Sequence, residues 1–180
     1  ASTSEGVFWE SINAAGVMQI PMAVSVWDDG YGISVPKKYQ TSKSSISKVL
    51  AGFGMDEDGE EAVTIHNARG WNYPELREMY HLGIENVRKN HRPALFHIEE
   101  LTQPQGHSTS GSHERYKTKR RLEWERRHDC IIKMKQWIVE SGIATQEDVD
   151  EIWVAAKKEV KEARKRAWDA FNAPIKIQLA

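Results

Sequence analysis

Cysteine and long apolar runs are scarce in this chain of 180 residues, and each scarcity excludes a class of structure. The single cysteine, Cys130, excludes an internal disulfide and fits a reducing compartment, so we expect a cytoplasmic protein. No segment approaches the roughly 20 apolar residues of a membrane-spanning helix, and no basic-then-apolar leader is visible. The sequence therefore predicts no membrane association.

Charge of one sign is not in excess either, because 25 Lys and Arg residues stand against 26 Asp and Glu residues. The formal net charge of −1 gives no overall attraction to nucleic acid or to an anionic membrane. A basic cluster at residues 115–121 could bind nucleic acid, but Glu123 and Glu125 follow it and indicate a solvated helix start with ion pairs. Nucleic-acid binding is an alternative that predicts steeply salt-dependent retention, and we expect none.

The length allows one well-buried core, and we expect no second full domain. The chain opens with Ala rather than Met, so we interpret it as a processed protein or an excised piece of a larger one. A first helix is predicted with its N-cap at Ser4 and its end at Gly16. Residues 22–27 follow as a strand, and their lack of strict alternation predicts burial on both faces. Further strands are predicted at residues 62–66 and 94–98.

Asn72 as N-cap, with an early proline and Glu75 three residues on, starts the helix between the second and third strands. The order of elements predicts a three-layer α/β sandwich with a mainly parallel sheet. Two long charged helices are predicted after it, one at residues 119–140 and one from a capping box at Thr145. We therefore expect an α/β core at residues 1–118 and a helical extension of the same domain at residues 119–180.

Two adjacent carboxylates, Asp28 and Asp29, follow the first predicted strand and precede Gly30 and Tyr31. Open α/β sheets bind ligands at the carboxyl ends of their strands, and Mg²⁺ prefers oxygen ligands beside substrate phosphates. A carboxylate with a backbone carbonyl two residues later suits such a site. Asp-Asp-Gly is also a common turn sequence, and on spacing alone a plain acidic turn is the stronger interpretation.

Two further segments could bind an anion. Residues 1–6 place small hydroxyl side chains before a helix, where backbone N–H groups are exposed, although an ordinary capped helix explains them by itself. Residues 105–111 place His107 and three hydroxyl residues between glycines. Such a loop can close over a polyanion while His107 donates to phosphate or exchanges protons, and a surface loop with a solvated histidine is the alternative.

Together these segments resemble the alpha-subunit half of the thiamine-diphosphate-dependent 2-oxo-acid dehydrogenases, the decarboxylating first component. That family has a Gly-Asp-Gly motif, a spacer, an Asn-Asn pair and a Tyr-Gly-type loop. Here Ala1 takes the third position of the first motif, and Asp28 with Asp29 takes the place of Asn-Asn. Residues 107–110, with Tyr116 and Lys117 after them, are similar to the phosphate loop of the family.

The resemblance implies thiamine diphosphate and Mg²⁺ as cofactors, bound by a diphosphate-binding core that lacks its N-terminal part. It implies that the Asp29 side chain and the Tyr31 backbone oxygen are metal ligands, and that His107 is catalytic. The residues predicted to bind the cofactor are Ser2, Thr3, Ser4, Ile33, His107 and Ser108.

The implied function is oxidative decarboxylation of a 2-oxo acid with transfer of the acyl group to a lipoyl carrier. The implied partners are the beta half of the enzyme, fused or separate, and the lipoyl carrier component, within an oligomer. We expect the isolated chain to be inactive, because two residues of the family lie outside it. They are the Asp of the Gly-Asp-Gly motif, a metal ligand, and the glutamate of the beta half that activates the cofactor. The alternatives are a transketolase-like enzyme and a non-catalytic assembly module that uses its long helices as an interface.

Overall fold

The computed structural model describes residues 2–54, 59, 62–103, 107 and 113–178. The chain divides into two compact units, Ala1–Met134 and Lys135–Ala180. The α/β core expected at residues 1–118 and the helical extension expected at residues 119–180 stay predictions.

The elements of the chain are five strands and six α-helices in the described residues. The strands are β1 (Ala23–Trp27), β2 (Tyr31–Gly32), β3 (Val35–Pro36), β4 (Thr64–Arg69) and β5 (Ala94–Glu99). The helices are α1 (Gly6–Met18), α2 (Ile46–Leu50), α3 (Tyr73–Asn90), α4 (Lys119–Arg127), α5 (Cys130–Glu140) and α6 (Gln146–Gln178).

Strands β1, β5 and β4 form a parallel sheet in that order, with Ala94 of β5 paired to Ala23 on one side and Thr64 on the other. Parallel strands need crossover connections, and α3 provides the one between β4 and β5. Because all three strands run the same way, their carboxyl ends meet at one edge of the sheet. The predicted mainly parallel α/β sheet is confirmed.

The two faces of β5 pack against different helices, as the period of a strand requires. Leu95 belongs to a cluster with Ile12 of α1 and Leu50 of α2. Phe96 belongs to a second cluster with Met79 of α3. The sheet is thus covered on both faces, which gives the three predicted layers.

The packing of α3 on the sheet depends on a glycine. A Cβ on Gly83 would lie 2.4 Å from a ring carbon of Phe96, so only glycine allows this close approach. Asn72 is the predicted N-cap of α3: its side chain accepts from the Glu75 N–H and donates to the Glu75 carboxylate.

The prediction for the ends of the first helix was wrong. Ser4 lies in a 3-10 turn, and α1 begins only at Gly6 with Glu5 as an N-cap that makes no side-chain cap bond. The helix also continues through Gly16, because this glycine serves packing: a Cβ there would lie 3.2 Å from Val63 Cγ2. Gln19 ends the helix instead, in the left-handed conformation with φ 49°.

Strand β1 is not buried on both faces, contrary to the prediction. Its residues alternate between exposed and half-buried, and Trp27 is exposed. Within the described part of the chain β1 pairs only with β5, so it lies at an edge of the sheet. The strand expected at residues 62–66 is also displaced, since β4 runs from Thr64 to Arg69.

The single helix expected at residues 119–140 is two helices, α4 and α5. The break follows His128, where Asp129 Oδ1 accepts hydrogen bonds from the N–H groups of Ile131 and Ile132. An Asp side chain that satisfies these free N–H groups starts a new helix in place of continuing the old one.

The second unit is dominated by α6, which has 33 residues. The capping box at its start is as predicted: Thr145 Oγ1 accepts from the Asp148 N–H at 3.1 Å, and Asp148 Oδ2 accepts from the Thr145 N–H at 2.9 Å. Val149 is buried, whereas apolar residues farther along α6 are exposed, among them Ile152, Val160 and Trp168. No described helix is both long and apolar enough to cross a membrane.

Candidate functional site

Asp28 extends β1 at the carboxyl edge of the sheet, and three groups donate hydrogen bonds to its carboxylate. Its N–H donates to the Ile98 carbonyl at 2.8 Å, which continues the ladder of the parallel pair. Its Oδ1 accepts from the Gly30 N–H at 2.7 Å. Its Oδ2 accepts from Lys37 Nζ at 2.7 Å and from His97 Nε2 at 3.0 Å. Both oxygens of this carboxylate are therefore satisfied by the protein.

His97 is the buried partner of this carboxylate, with 0% of its side chain exposed. It lies on β5, and its Nδ1 lies 3.0 Å from Ser47 Oγ on α2. Because an ionised Asp28 can only accept, Nε2 is the donor in its bond to Asp28. The pair thus ties the end of β1 to the centre of the sheet and to α2.

These contacts set the acidity of Asp28. Burial by itself raises the pKa of the carboxyl group, but hydrogen bonds from His97, Lys37 and Gly30 outweigh burial and lower the pKa from 3.8 to about 2. Asp28 is consequently ionised at neutral pH, and its charge is balanced by Lys37.

We expect a measurable acid dependence of stability from this group. Its pKa is lower in the folded state, so its contribution is complete above pH 3.8 and is lost as the pH falls through about 2. Allowing for solvent screening, the contribution is about 1–2 kcal/mol. Urea unfolding of the wild type and Asp28→Asn between pH 2 and pH 6 measures it. A free-energy difference between the two proteins that does not shrink towards pH 2 would contradict the assignment.

Asp29 has a different environment from its neighbour. Its Oδ1 accepts from the Tyr31 N–H at 3.0 Å, and among the described residues no group donates to its Oδ2. Gly30 allows the turn, because its φ of +86° is a conformation that other residues rarely adopt. Of the two carboxylates, Asp29 is therefore the one with an oxygen available to a ligand.

A cavity of about 290 Å³ opens beside Asp29 at this edge of the sheet. Five of the residues predicted from the sequence line it together: Ser2, Thr3, Ser4, Asp29 and Tyr31. Phe8 and Val24 give it an apolar side, and Lys37 contributes a positive charge. Hydroxyl groups, a carboxylate and an ammonium group in one cleft suit a ligand with phosphate groups and a bound cation.

A second cavity of about 430 Å³ lies across the same turn, since Asp28, Asp29 and Lys37 line both. Residues at the ends of β4 and β5, among them Arg69 and Glu99, line its other side. The carboxyl edge of the sheet is thus open on both sides of the turn that carries Asp29.

The structure does not bring the remaining predicted residues to this cavity. Ile33 lies in the turn between β2 and β3 with φ 59° and is exposed. His107 is exposed, and neither Ile33 nor His107 is among the described residues that line the cavity. Ser108 lies outside the described residues. The roles assigned to these three residues stay predictions.

Sequence reasoning missed the residues that hold the turn, namely Lys37, His97 and Arg121. A histidine in the apolar run of β5 was a usable signal, because a buried imidazole needs hydrogen-bond partners. Arg121 and Glu125 have the i,i+4 spacing of a helical ion pair, which marks a fixed side chain within the basic cluster.

Asp28, His97 and Glu99 form a cluster whose ligand atoms lie within 4.8 Å of one another. Lys37 Nζ lies 2.7 Å from Asp28 Oδ2 and 3.6 Å from Glu99 Oε1. This ammonium group already supplies positive charge to the cluster. The oxygen atoms of Asp29 and Tyr31 are therefore the better candidate ligands for a metal ion.

Comparison with known proteins identifies the family of the chain. The model of the dehydrogenase E1 component family matches residues 1–176. The chain is 31% identical over 170 residues to the pyruvate dehydrogenase E1 component subunit alpha of Bacillus subtilis, a match that covers 91% of this chain and 42% of that protein. It is 28% identical over 166 residues to the mitochondrial 2-oxoisovalerate dehydrogenase subunit alpha 2 of Arabidopsis thaliana, covering 89% of this chain and 32% of that protein.

The chain spans less than half the length of these curated relatives. The family match nevertheless covers residues 1–176, which is nearly every residue of the chain. The chain therefore belongs to the dehydrogenase E1 component family, and the relatives named above are alpha subunits of that component.

Proposed function

We propose that the complete protein oxidatively decarboxylates a 2-oxo acid and transfers the acyl group to a lipoyl carrier, and that this chain supplies the diphosphate side of its cofactor site. The observation that carries the proposal is the cavity at the carboxyl edge of the sheet, where Asp29 and Tyr31 lie together with Ser2, Thr3 and Ser4. These residues come from two separate segments that the sequence assigned to one site.

The donor set fits Mg²⁺ and a diphosphate. We propose that Asp29, through the oxygen that no described group occupies, and the Tyr31 carbonyl hold Mg²⁺, which prefers hard oxygen ligands. Ser2, Thr3 and Ser4 would hold phosphate oxygens of thiamine diphosphate through their hydroxyl groups. When bound, this cofactor supplies the electron sink that stabilises the charge left by loss of CO₂.

The other residues of the chain orient and protect this site in our proposal. Asp28, fixed by Lys37 and His97, keeps the turn in place, so that the ligand atoms do not reorganise on binding. His107 would donate to the diphosphate or hold a proton near the reacting centre. Ile33 and Ser108 would complete the contacts to the cofactor from neighbouring loops.

The exposed face of α6 supports a role for partners. Large apolar residues on it, including Trp168 and Phe171, lie open in the described structure, and apolar surface of this kind is typical of interfaces. We propose the beta half of the same enzyme and the lipoyl carrier as partners, within an oligomer. The single free cysteine fits the cytoplasm as the proposed location.

Isothermal titration of the complete enzyme, beta half included, tests the cofactor proposal. We expect thiamine diphosphate to bind in the presence of Mg²⁺ and to bind at least about 100-fold more weakly after chelation, because the metal bridges the protein to the diphosphate. The matched control is thiamine, which lacks the diphosphate and should not respond to Mg²⁺. Absence of Mg²⁺-dependent binding would contradict the proposed function.

A further inference from the structure

A buried ion pair lies beside the Asp29 turn. Lys117, just before α4, donates from Nζ to both carboxylate oxygens of Glu125, at 2.8 and 2.9 Å. The two side chains are only 2% and 3% exposed. Burying two charges costs free energy, and a buried ion pair often adds little to stability. We therefore ask what else this pair does in the fold.

Arg121 connects the buried pair to the turn. Its Nε donates to Glu125 Oε1 at 2.8 Å, and its Nη2 donates to the backbone carbonyl of Asp29 at 3.2 Å. One end of the guanidinium is thus anchored in the protein interior. The other end reaches the residue that presents the candidate metal ligand.

Tyr31 also contacts the residues around the start of α4. The Arg121 guanidinium lies 5.8 Å from the centre of the Tyr31 ring, and Lys117 Nζ lies 5.0 Å from it. Tyr116 meets the same ring edge-on at 5.6 Å. Contacts of a cation with an aromatic face are attractive, and they hold Tyr31 against the segment that starts α4.

The turn is therefore held from two sides. Lys37 and His97 fix Asp28 on the side of the sheet, whereas Arg121 fixes Asp29 on the side of α4. The α4 contacts reach the two residues whose oxygens we assign to the metal.

We propose that Arg121 is a positioning residue for the metal-binding turn: Glu125 and Lys117 fix its guanidinium, which in turn fixes the Asp29 carbonyl and the Tyr31 ring. This inference rests on the proposed function of Asp29 and Tyr31. The planar fork of an arginine suits the task, because separate N–H groups donate to Glu125 and to Asp29 at the same time. A lysine at this position keeps the charge next to Glu125 but cannot reproduce the fork.

Arg121→Lys in the complete enzyme tests the proposal, with the Mg²⁺ concentration for half-maximal thiamine diphosphate binding as the readout. We expect this concentration to rise about tenfold, as is typical when an outer partner of a metal ligand is lost. The thermal midpoint should change little, because the charge beside Glu125 is retained. Saturating Mg²⁺ should restore kcat, a rescue that a general defect in folding would not show.

Arg127→Lys is the matched control, since Arg127 lies on the same helix with a 70% exposed side chain and only a 3.5 Å ion pair to Glu123. We expect its Mg²⁺ requirement to stay within about twofold of the wild type. Glu125→Gln is a second test, because it leaves Arg121 present but removes the carboxylate that fixes it. It also leaves Lys117 buried without its anionic partner, so this variant is compared with the wild type only under conditions where thermal melting shows both to be folded. We expect the Mg²⁺ requirement to rise in this variant too.

The measurements distinguish failure of the positioning role from failure of the proposed function. Equal Mg²⁺ requirements in Arg121→Lys and Arg127→Lys, with a wild type that binds normally, would overturn the positioning role alone. A wild-type enzyme that shows no Mg²⁺-dependent cofactor binding would overturn the proposed function, and the positioning role with it.

Discussion

Asp29→Ala should lower the turnover of the complete enzyme by about 100-fold or more, because even the loss of an outer partner of a metal ligand costs 10–100-fold. The substitution removes the one carboxylate oxygen of the turn that no described group satisfies. Its effect on folding should be small, since within the described ranges the side chain makes only the local bond to the Tyr31 N–H. Steady-state kinetics and thermal melting of the same preparation measure the two effects.

Asp29→Asn is the matched variant, because the amide keeps one oxygen that can bind the metal while it loses the charge and the second oxygen. We expect it to retain turnover at high Mg²⁺ concentration. The variants Asp29→Ala and Asp29→Asn also distinguish a metal site from a non-catalytic assembly module, the alternative that the exposed residues of α6 would favour. Normal turnover of Asp29→Ala in an intact assembly would show that the turn is only structural.

Lys117→Met should destabilise the fold by about 3–5 kcal/mol, the usual cost of removing one member of a buried ion pair. Glu125 would remain 3% exposed with Arg121 as its remaining cationic partner, and Arg121 reaches only one of its oxygens in the described structure. Urea denaturation followed by tryptophan fluorescence measures the loss. Lys119→Met is the control, because Lys119 is exposed on the same segment.

Replacing both members of the pair should recover much of the lost stability. In Lys117→Met with Glu125→Leu no unpaired charge is left buried, and well-packed apolar replacements of buried pairs are often close to neutral. A double mutant that loses less stability than the sum of the two single mutants supports a direct interaction between Lys117 and Glu125. A destabilisation of Lys117→Met no larger than that of Lys119→Met would contradict it.

The parts of the fold that sequence reasoning predicted are those determined by local signals. The N-cap at Asn72 and the capping box at Thr145 were correct, because each depends on residues three positions apart. The alternation of helix and strand patterns sufficed for the parallel sheet. The start of α1 was missed because a 3-10 turn and an N-cap residue compete for the same short polar segment.

What the sequence could not predict depends on contacts distant in the chain. His97 and Asp28 are 69 residues apart, and Arg121 and Asp29 are 92 apart. The edge position of β1 likewise depends on which strands pair, and no pattern within residues 22–27 determines that. For the site, the family resemblance predicted Asp29, Tyr31 and residues 2–4, which line one cavity, and their roles stay predictions. The residues that hold the turn emerged only from the fold.

A crystal structure of the complete enzyme with Mg²⁺ and thiamine diphosphate tests the central claim most directly. We predict a metal ion about 2.1 Å from Asp29 Oδ2 and from the Tyr31 carbonyl oxygen, with the diphosphate beside residues 2–4. Asp28 should keep its bonds to Lys37 and His97 in that structure. A metal ion bound by Asp28, His97 and Glu99 instead, or a diphosphate held away from this edge of the sheet, would contradict the account.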